Sequence, residues 1–223
     1  MKNYSQKGQD EWVINEIFQG KQNGYFLDLA AADGINLSNT YLLERGYHWD
    51  GICIEPNPVF YGQLQKSRNC LCVEQCIDES DGVVDFVLMD ELGGIIDDDT
   101  DNNPALRENQ LEQAHTEGRI ITLNTVPLAD LLEELDAPNT IDYFSFDVEG
   151  SETRILRQFP FDKYRFLAMT IERPTPELNK LLFRNGYIFV RNRMFDTFYV
   201  HETLPDLFQI EKDAFEQIPS KDW

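Results

Sequence analysis

Short apolar runs alternate with helix-forming stretches along almost the whole chain, and this restricts the fold more than any other sequence feature. Strands are read at 25–30, 50–55, 71–76, 83–88, 120–126, 141–147, 167–172, 187–191 and 197–201. Helices are read at 5–18, at 38–45, from Pro58 to about 67, and at 127–135, 151–158 and 176–185. The warrants are local. Val13, Ile14, Ile17 and Phe18 fall on one face of the first helix, with Ser5 as its cap. Ser38 opens the second and Gly46 closes it. Parallel strands need a long crossover, which a helix fills. The alternation therefore predicts an α/β fold, a mostly parallel sheet with helices on both faces. The last two runs are separated only by 192–196, which suits an antiparallel hairpin at one edge.

Length favours one domain over two, because 223 residues is closer to one unit of roughly 150 than to two. Residues 204–223 form a C-terminal extension whose Leu204, Leu207, Phe208, Ile210, Phe215 and Ile218 are expected to pack onto the body. Forty Asp and Glu against 19 Lys and Arg leave a formal charge of −21. That balance argues against nucleic acid and against an anionic membrane surface, since both bind through clustered cations. No apolar run approaches the ~20 residues of a membrane span. The opening residues 1–6 lack the apolar core of a secretory signal, so a cytoplasmic location is expected. Of the four cysteines, Cys70, Cys72 and Cys76 cluster. None of the three histidines is next to them, so they read as buried thiols, not as a zinc site.

One segment breaks the alternation. Between Arg68 and Arg107 there is no cation, yet eleven acids lie from Glu74 to Asp101. An acidic loop is placed at about 90–118, with no strand or helix period at its centre. It reads as a solvated loop or as a lid over a substrate. Asp97, Asp99, Asp101 and Glu108 also sit at calcium-loop offsets, but Asn102 stands where the sharp turn wants glycine and Pro104 intrudes.

The chemistry lies at the ends of the strands, where open parallel sheets bind ligands. The first strand runs into Asp28, Ala30, Ala31, Ala32, Asp33 and Gly34, small residues that let a ligand approach the backbone. The second ends in Glu55 and Pro56, which places an acid where it can accept hydrogen bonds from ribose hydroxyls. The pair points to a nucleoside-bearing cofactor. A dinucleotide site wants three glycines near a pyrophosphate, and two aspartates there would repel it. They suit a cofactor with a cationic amino-acid end, such as S-adenosylmethionine.

The chain resembles the FkbM family of S-adenosylmethionine-dependent methyltransferases. The matching blocks are 5–10 (Ser-Gln-Lys-Gly-Gln-Asp), 26–34, Ser38-Asn39-Thr40, 49–56, 141–152 and Ile171-Glu172. They occur in the family's order between residue 5 and about 200. The resemblance implies a Rossmann-like class I methyltransferase fold and O-methylation of a carbohydrate or natural-product hydroxyl. The cofactor-binding set it implies is Asp28, Ala30, Asp33, Gly34, Ser38, Asn39, Thr40, Glu55, Pro56, Ile77, Asp78 and Asp147. Ala30 stands where the family more often has glycine.

The fourth strand of the core supplies the catalytic candidates, Asp147 and Glu149. Alternate residues of an extended segment face one way, so both carboxylates can point into one pocket. One could take a hydroxyl proton, or both with Glu172 could hold Mg2+ and lower the hydroxyl pKa. Asp147 could instead position the cofactor or cap the next helix. His115 is the histidine placed for a role on a lid, whereas His48 and His201 read as structural. The alternatives to methyl transfer are a nicotinamide-dependent sugar-modifying enzyme and a non-catalytic cofactor-binding interaction module.

The charge of −21 makes one expectation testable without a ligand. Melting temperature at neutral pH should rise with added monovalent salt, which screens self-repulsion. Calcium at equal ionic strength should add little, and a large calcium-specific rise would restore the loop at Asp97 to Glu108 as an ion site.

Overall fold

The computed structural model describes residues 4–219. Residues 1–3, which belong to the reading of the amino terminus, and 220–223 of the C-terminal extension lie outside the described residues. Seven strands form the main sheet: β1 (Tyr25–Leu29), β2 (Asp50–Ile54), β3 (Leu71–Val73), β8 (Thr140–Phe146), β9 (Arg165–Glu172), β10 (Tyr187–Arg193) and β11 (Asp196–His201). Their order is β10-β11-β9-β8-β1-β2-β3. Pairings from β9 through β3 are parallel, whereas β11 runs antiparallel to both neighbours. The expected hairpin is there, with β10 at the edge.

Successive side chains of a strand point to opposite faces, and both faces here are covered. Leu27, Ile52, Phe144 and Phe166 belong to one core cluster and Phe26, Cys53, Tyr143 and Phe198 to the other. Each such large side chain stabilises the fold by roughly 1.5–3 kcal/mol on burial. The approach is close enough at Gly51 that a Cβ there would lie 2.3 Å from the Phe26 carbonyl oxygen.

Four further strands depart from the single-sheet expectation. β4 (Cys76–Asp78), β5 (Gly82–Val87), β6 (Gly94–Ile95) and β7 (Ile120–Pro127) make a second sheet in the order β4-β7-β5-β6. The strand expected at 71–76 is thus two strands in two sheets, parted at Glu74 and Gln75. Apolar patterning marks a strand but not its partner, so this break had no signature. The acidic region is also not a continuous loop: it contains β6 and the helix α4 (Glu108–Thr116). α4 packs Leu111 and Ala114 against Val87, and two apolar residues in nine positions are too sparse a pattern to read through so many polar ones.

Helix assignments hold with shifted ends: α2 (Tyr41–Tyr47), α3 (Pro58–Ser67), α5 (Leu128–Glu134), α6 (Glu152–Leu156) and α7 (Pro176–Arg184). The first helix is shorter than expected. Gly8, at φ 79°, turns the chain into α1 (Gln9–Glu11), which widens into a π-helical stretch over Trp12–Ile17. Ser5 does not cap it. Its hydroxyl donates to Asp10 and accepts from the Gly8 N–H. The C-terminal extension packs only in part: Leu204 and Ile218 are buried, while Phe208 is 83% exposed.

A buried cation fixes the turn after β1. Arg68, just beyond α3, donates from Nε to Glu44 (2.6 Å), from Nη2 to the Thr40 hydroxyl (3.0 Å) and from Nη1 to the Gly34 carbonyl (3.3 Å). Asp28 lies 4.0 Å from the guanidinium and accepts from the Thr40 hydroxyl. Removing one partner of a buried pair costs about 3–5 kcal/mol. Arg68→Ala should therefore lower the unfolding free energy by about that amount in urea titration, and a loss below about 1 kcal/mol would show that the network is not what holds the turn.

Candidate active site

The site forms where β1, β2 and β8 run out. After β1 the backbone turns through left-handed residues, Ala30 at φ 66°, Ala32 at 47° and Gly34 at 81°. Each alanine in this region costs on the order of 1 kcal/mol, which is why glycine is the easier choice at position 30. Hydrogen bonds hold the strained turn: the N–H groups of Ala30 and Ala31 both donate to the Ile54 carbonyl, at 3.0 and 3.1 Å. The Ala32 N–H donates to Glu55 Oε2 and the Asn57 N–H to Glu55 Oε1, both at 2.8 Å. Glu55 is 4% exposed. Burial raises its pKa to about 7, against the lowering effect of the two N–H donors. One lone pair on each oxygen is left for a ligand.

A cleft with about 1030 Å³ of empty space, open mouth included, runs past this turn. Among the residues expected to hold a cofactor, Asp28, Ala30, Ser38, Asn39, Glu55, Pro56, Ile77 and Asp147 line it. Asp33, Gly34, Thr40 and Asp78 support it from behind. Asp33 Oδ1 accepts from the N–H groups of Ile35 and Asn36, and Gly34 lets the turn press against α3, where a Cβ would lie 2.6 Å from Ser67 Oγ. Thr40 binds Asp28, and both oxygens of Asp78 are taken by Arg154, at 2.7 and 2.8 Å. Two buried polar oxygens on the cleft wall lack a partner among the described residues: Asn39 Oδ1, whose amide donates to Ser145, and Ser151 Oγ. Buried polar atoms are nearly always satisfied, so both call for a polar ligand.

A second cavity of about 730 Å³ shares Leu37, Asn39, Glu91, Asp147 and Glu149 with the first. Gln6, Gln9, Glu172, Arg173, Phe195 and Asp196 form its remaining walls together with Leu92. Carboxylates crowd here. Asp147 opens onto the solvent of the cavity yet is deeply surrounded by protein, and that enclosure, then Glu172, Glu149, Asp196 and Glu152, holds its carboxyl well above the usual range. Burial raises Asp196 to about 7 and Glu152 to about 8. Gln9 Nε2 donates to Asp196 (2.7 Å), and the Val148 N–H donates to Glu152 (2.9 Å). Arg173 pairs with Glu172 at 2.9 Å and lies over the Phe195 ring at 4.0 Å. Glu149 and Gly150 take left-handed backbone at φ 55° and 99°.

The three expected metal ligands do not form one triad. Two triads have oxygens within 4.8 Å of one another, Asp101 with Glu149 and Glu172, and Asp147 with Glu152 and Glu172, so Glu172 is common to both. The calcium-loop offsets do not make a site: Asp97 and Asp99 bind Arg154 at 3.0 and 2.9 Å. His115 is exposed in the last turn of α4 and lines neither cavity. His201 has a structural place, facing Thr203 and the Asn185 carbonyl. Residues unassigned by sequence reasoning are Gln9, Glu152, Ser151, Arg154 and Asp196. Gln9, Ser151 and Glu152 lie within blocks of family resemblance, but nothing in the pattern gives them a role, and Asp196 reads only as part of the hairpin connection.

The strand order, with one antiparallel strand next to the edge and the cleft at the carboxyl ends of β1 and β2, defines a class I methyltransferase-like α/β fold. A model of the methyltransferase FkbM domain matches residues 28–208, and the chain belongs to that family. The nicotinamide-dependent alternative gives way to this finding. Among solved structures, methyltransferase FkbM from Methylobacillus flagellatus KT is 14% identical, with TM-score 0.47, over 82% of this chain and 44% of that one. The METTL16 MTase domain is 11% identical with TM-score 0.44 over 85% and 64%, and human methyltransferase 10 domain containing protein 12% with 0.42 over 86% and 78%. The chain thus spans less than two thirds of the length of the first two. No curated protein sequence matches it significantly. Among the described residues no helix is long and apolar enough to cross a membrane.

The raised carboxyls set a pH dependence. A group with a folded pKa above its unfolded value contributes stability that is complete below the unfolded pKa and lost as pH rises through the folded one. For Glu55 and Asp196 the window runs from the ordinary carboxylate range up through about 7. Denaturant midpoints of the ligand-free protein should fall between about pH 5 and about pH 8. Glu55→Gln should remove part of that fall, and an unchanged slope would contradict a raised pKa at Glu55.

Proposed function

We propose that the protein transfers a methyl group from S-adenosylmethionine to a hydroxyl of a carbohydrate or natural-product intermediate. The observation that carries this reading is the meeting of two cavities at Asn39, Asp147 and Glu149, one whose turn and Glu55 fit a nucleoside and the other lined by carboxylates. Glu55 would hold the ribose hydroxyls. Asp28, Asn39 and the Ala30 turn would hold the methionine end, and the unpartnered oxygens of Asn39 and Ser151 fit the donors of its ammonium and hydroxyl groups. S-adenosylmethionine supplies, when bound, a methyl carbon made electrophilic by its sulfonium.

The chain's own task is the proton. A hydroxyl is a poor nucleophile until its proton leaves, and a carboxylate with a raised pKa is better matched to take it at neutral pH. Asp147 belongs to both cavities, so it is assigned as the base, with Glu149 beside it. The crowding of Glu172 and Glu152 raises the energy of the ionised form, which makes proton uptake by Asp147 more favourable. A second reading, a Mg2+ held by one of the two carboxylate triads, follows from the hard oxygen donors gathered there. The net charge of −21 supports a small acceptor over a nucleic acid.

Losing a hydrogen bond to a charged acceptor costs roughly 1.5–3 kcal/mol. Glu55→Ala should then weaken S-adenosylmethionine binding about ten- to a hundredfold in calorimetry, and unchanged affinity in a folded variant would reject the ribose assignment. Asp147→Asn should lower turnover by roughly 10²–10⁴ with cofactor affinity nearly unchanged. Loss of both together would make Asp147 a cofactor-positioning residue. Abolition by a chelator with recovery on adding Mg2+ would establish the metal reading.

A further inference from the structure

Arg154 reaches from α6 into the acidic segment, and it lines neither cavity. From α6 it grips Asp78 on β4 through two parallel bonds, at 2.7 and 2.8 Å, and extends Nη1 to Asp97 (3.0 Å) and Asp99 (2.9 Å). The inner pair is nearly enclosed, with side chains 12% and 6% exposed, whereas Asp97 and Asp99 are 49% and 57% exposed. The segment so gripped is a wall of the first cavity: Gly93, Gly94 and Ile95 line it. Thr100 donates its hydroxyl to the Ile95 carbonyl (2.7 Å), and the Asp101 N–H donates to the Glu149 carbonyl (2.9 Å). There is no room for slack, because a Cβ on Gly150 would lie 2.6 Å from the Asp101 nitrogen.

We propose that Arg154 is a positioning residue that latches the acidic segment 93–101 shut against the first cavity, and so sets how long the cofactor stays bound. The inference rests on reading that cavity as the S-adenosylmethionine site. The physical logic is asymmetric. The inner bidentate pair anchors the guanidinium, and a half-exposed pair is weak by itself. The two outer carboxylates therefore close the wall reversibly. Without the guanidinium, Asp78, Asp97 and Asp99 would be like charges facing one another, and the wall would be pushed outward.

The probe is S-adenosylhomocysteine, measured by calorimetry and by stopped-flow displacement, with hydrogen exchange as a ligand-free readout. In Arg154→Ala the dissociation rate should rise about tenfold or more, and exchange should accelerate at 93–101 while β8 and β9 stay protected. The double variant Asp97→Asn/Asp99→Asn keeps the Asp78 pair and guards against misfolding of the first variant. It should show the same local exchange and a several-fold faster release, and parent release should quicken between about 0.05 and about 0.5 M salt. Arg154→Lys, with one point charge for a fork, should recover only part of the retention. Release within about twofold of the parent in both Arg154→Ala and the double variant would overturn the latch, as would exchange that rises evenly across the molecule. If the parent binds no S-adenosylhomocysteine, the cofactor reading fails instead, and exchange at 93–101 still decides the latch because it needs no ligand.

Discussion

The turn at the head of the cleft depends on the buried guanidinium of Arg68. Arg68 brings together Glu44 from α2, the Gly34 carbonyl from the turn and, through Thr40, the carboxylate of Asp28 at the end of β1. Burying Asp28 alone would favour its neutral form, and burial does raise its pKa, while Arg68 and Thr40 oppose that rise. Two acids and one arginine taken out of water add little net stability over an apolar core. What they add is geometry. The turn that carries Ala30, Ala31 and Ala32 is held in one conformation, although two of its alanines sit at positive φ.

That fixed turn organises the rest of the cleft. Because Ala32 donates to Glu55, the ends of β1 and β2 are tied by a side chain as well as by the ladder. The strained turn lines the first cavity, and left-handed Glu149 sits where the two cavities meet. Strained backbone persists only when its surroundings over-determine it, and here the surroundings are β2 on one side and the segment around Asp101 on the other. The carboxylates concentrated there have raised pKa values because burial and mutual repulsion act in the same direction.

The second sheet explains why so acidic a region can be ordered. β5, β6 and β7 give residues 82–127 a scaffold of their own, and β4 joins it to the main sheet through the two-residue step after β3. Its charges are neutralised in part from outside the segment, by Arg154 on α6. The four cysteines remain free thiols within this frame, with Cys53 and Cys70 sulfurs 3.6 Å apart.

The sequence by itself determined the strand–helix alternation, the closing hairpin, the small-residue turn after Asp28 and the acids at the ends of β2 and β8, because these follow from local periodicity and from residue type. It could not divide 71–76 between two sheets, since hydrophobic period records that a strand is buried but not against which partner. It could not find α4, whose apolar face is two residues deep in a polar stretch. Asp33 and Asp78 shared the residue type of true cleft residues, yet one closes a turn and the other receives an arginine from 76 residues further along the chain. Pairings over such distances, Arg68 with Glu44, Gln9 with Asp196 and Arg154 with Asp78, were decided only by tertiary structure, because a charge carries no sequence signal for the partner that will desolvate with it.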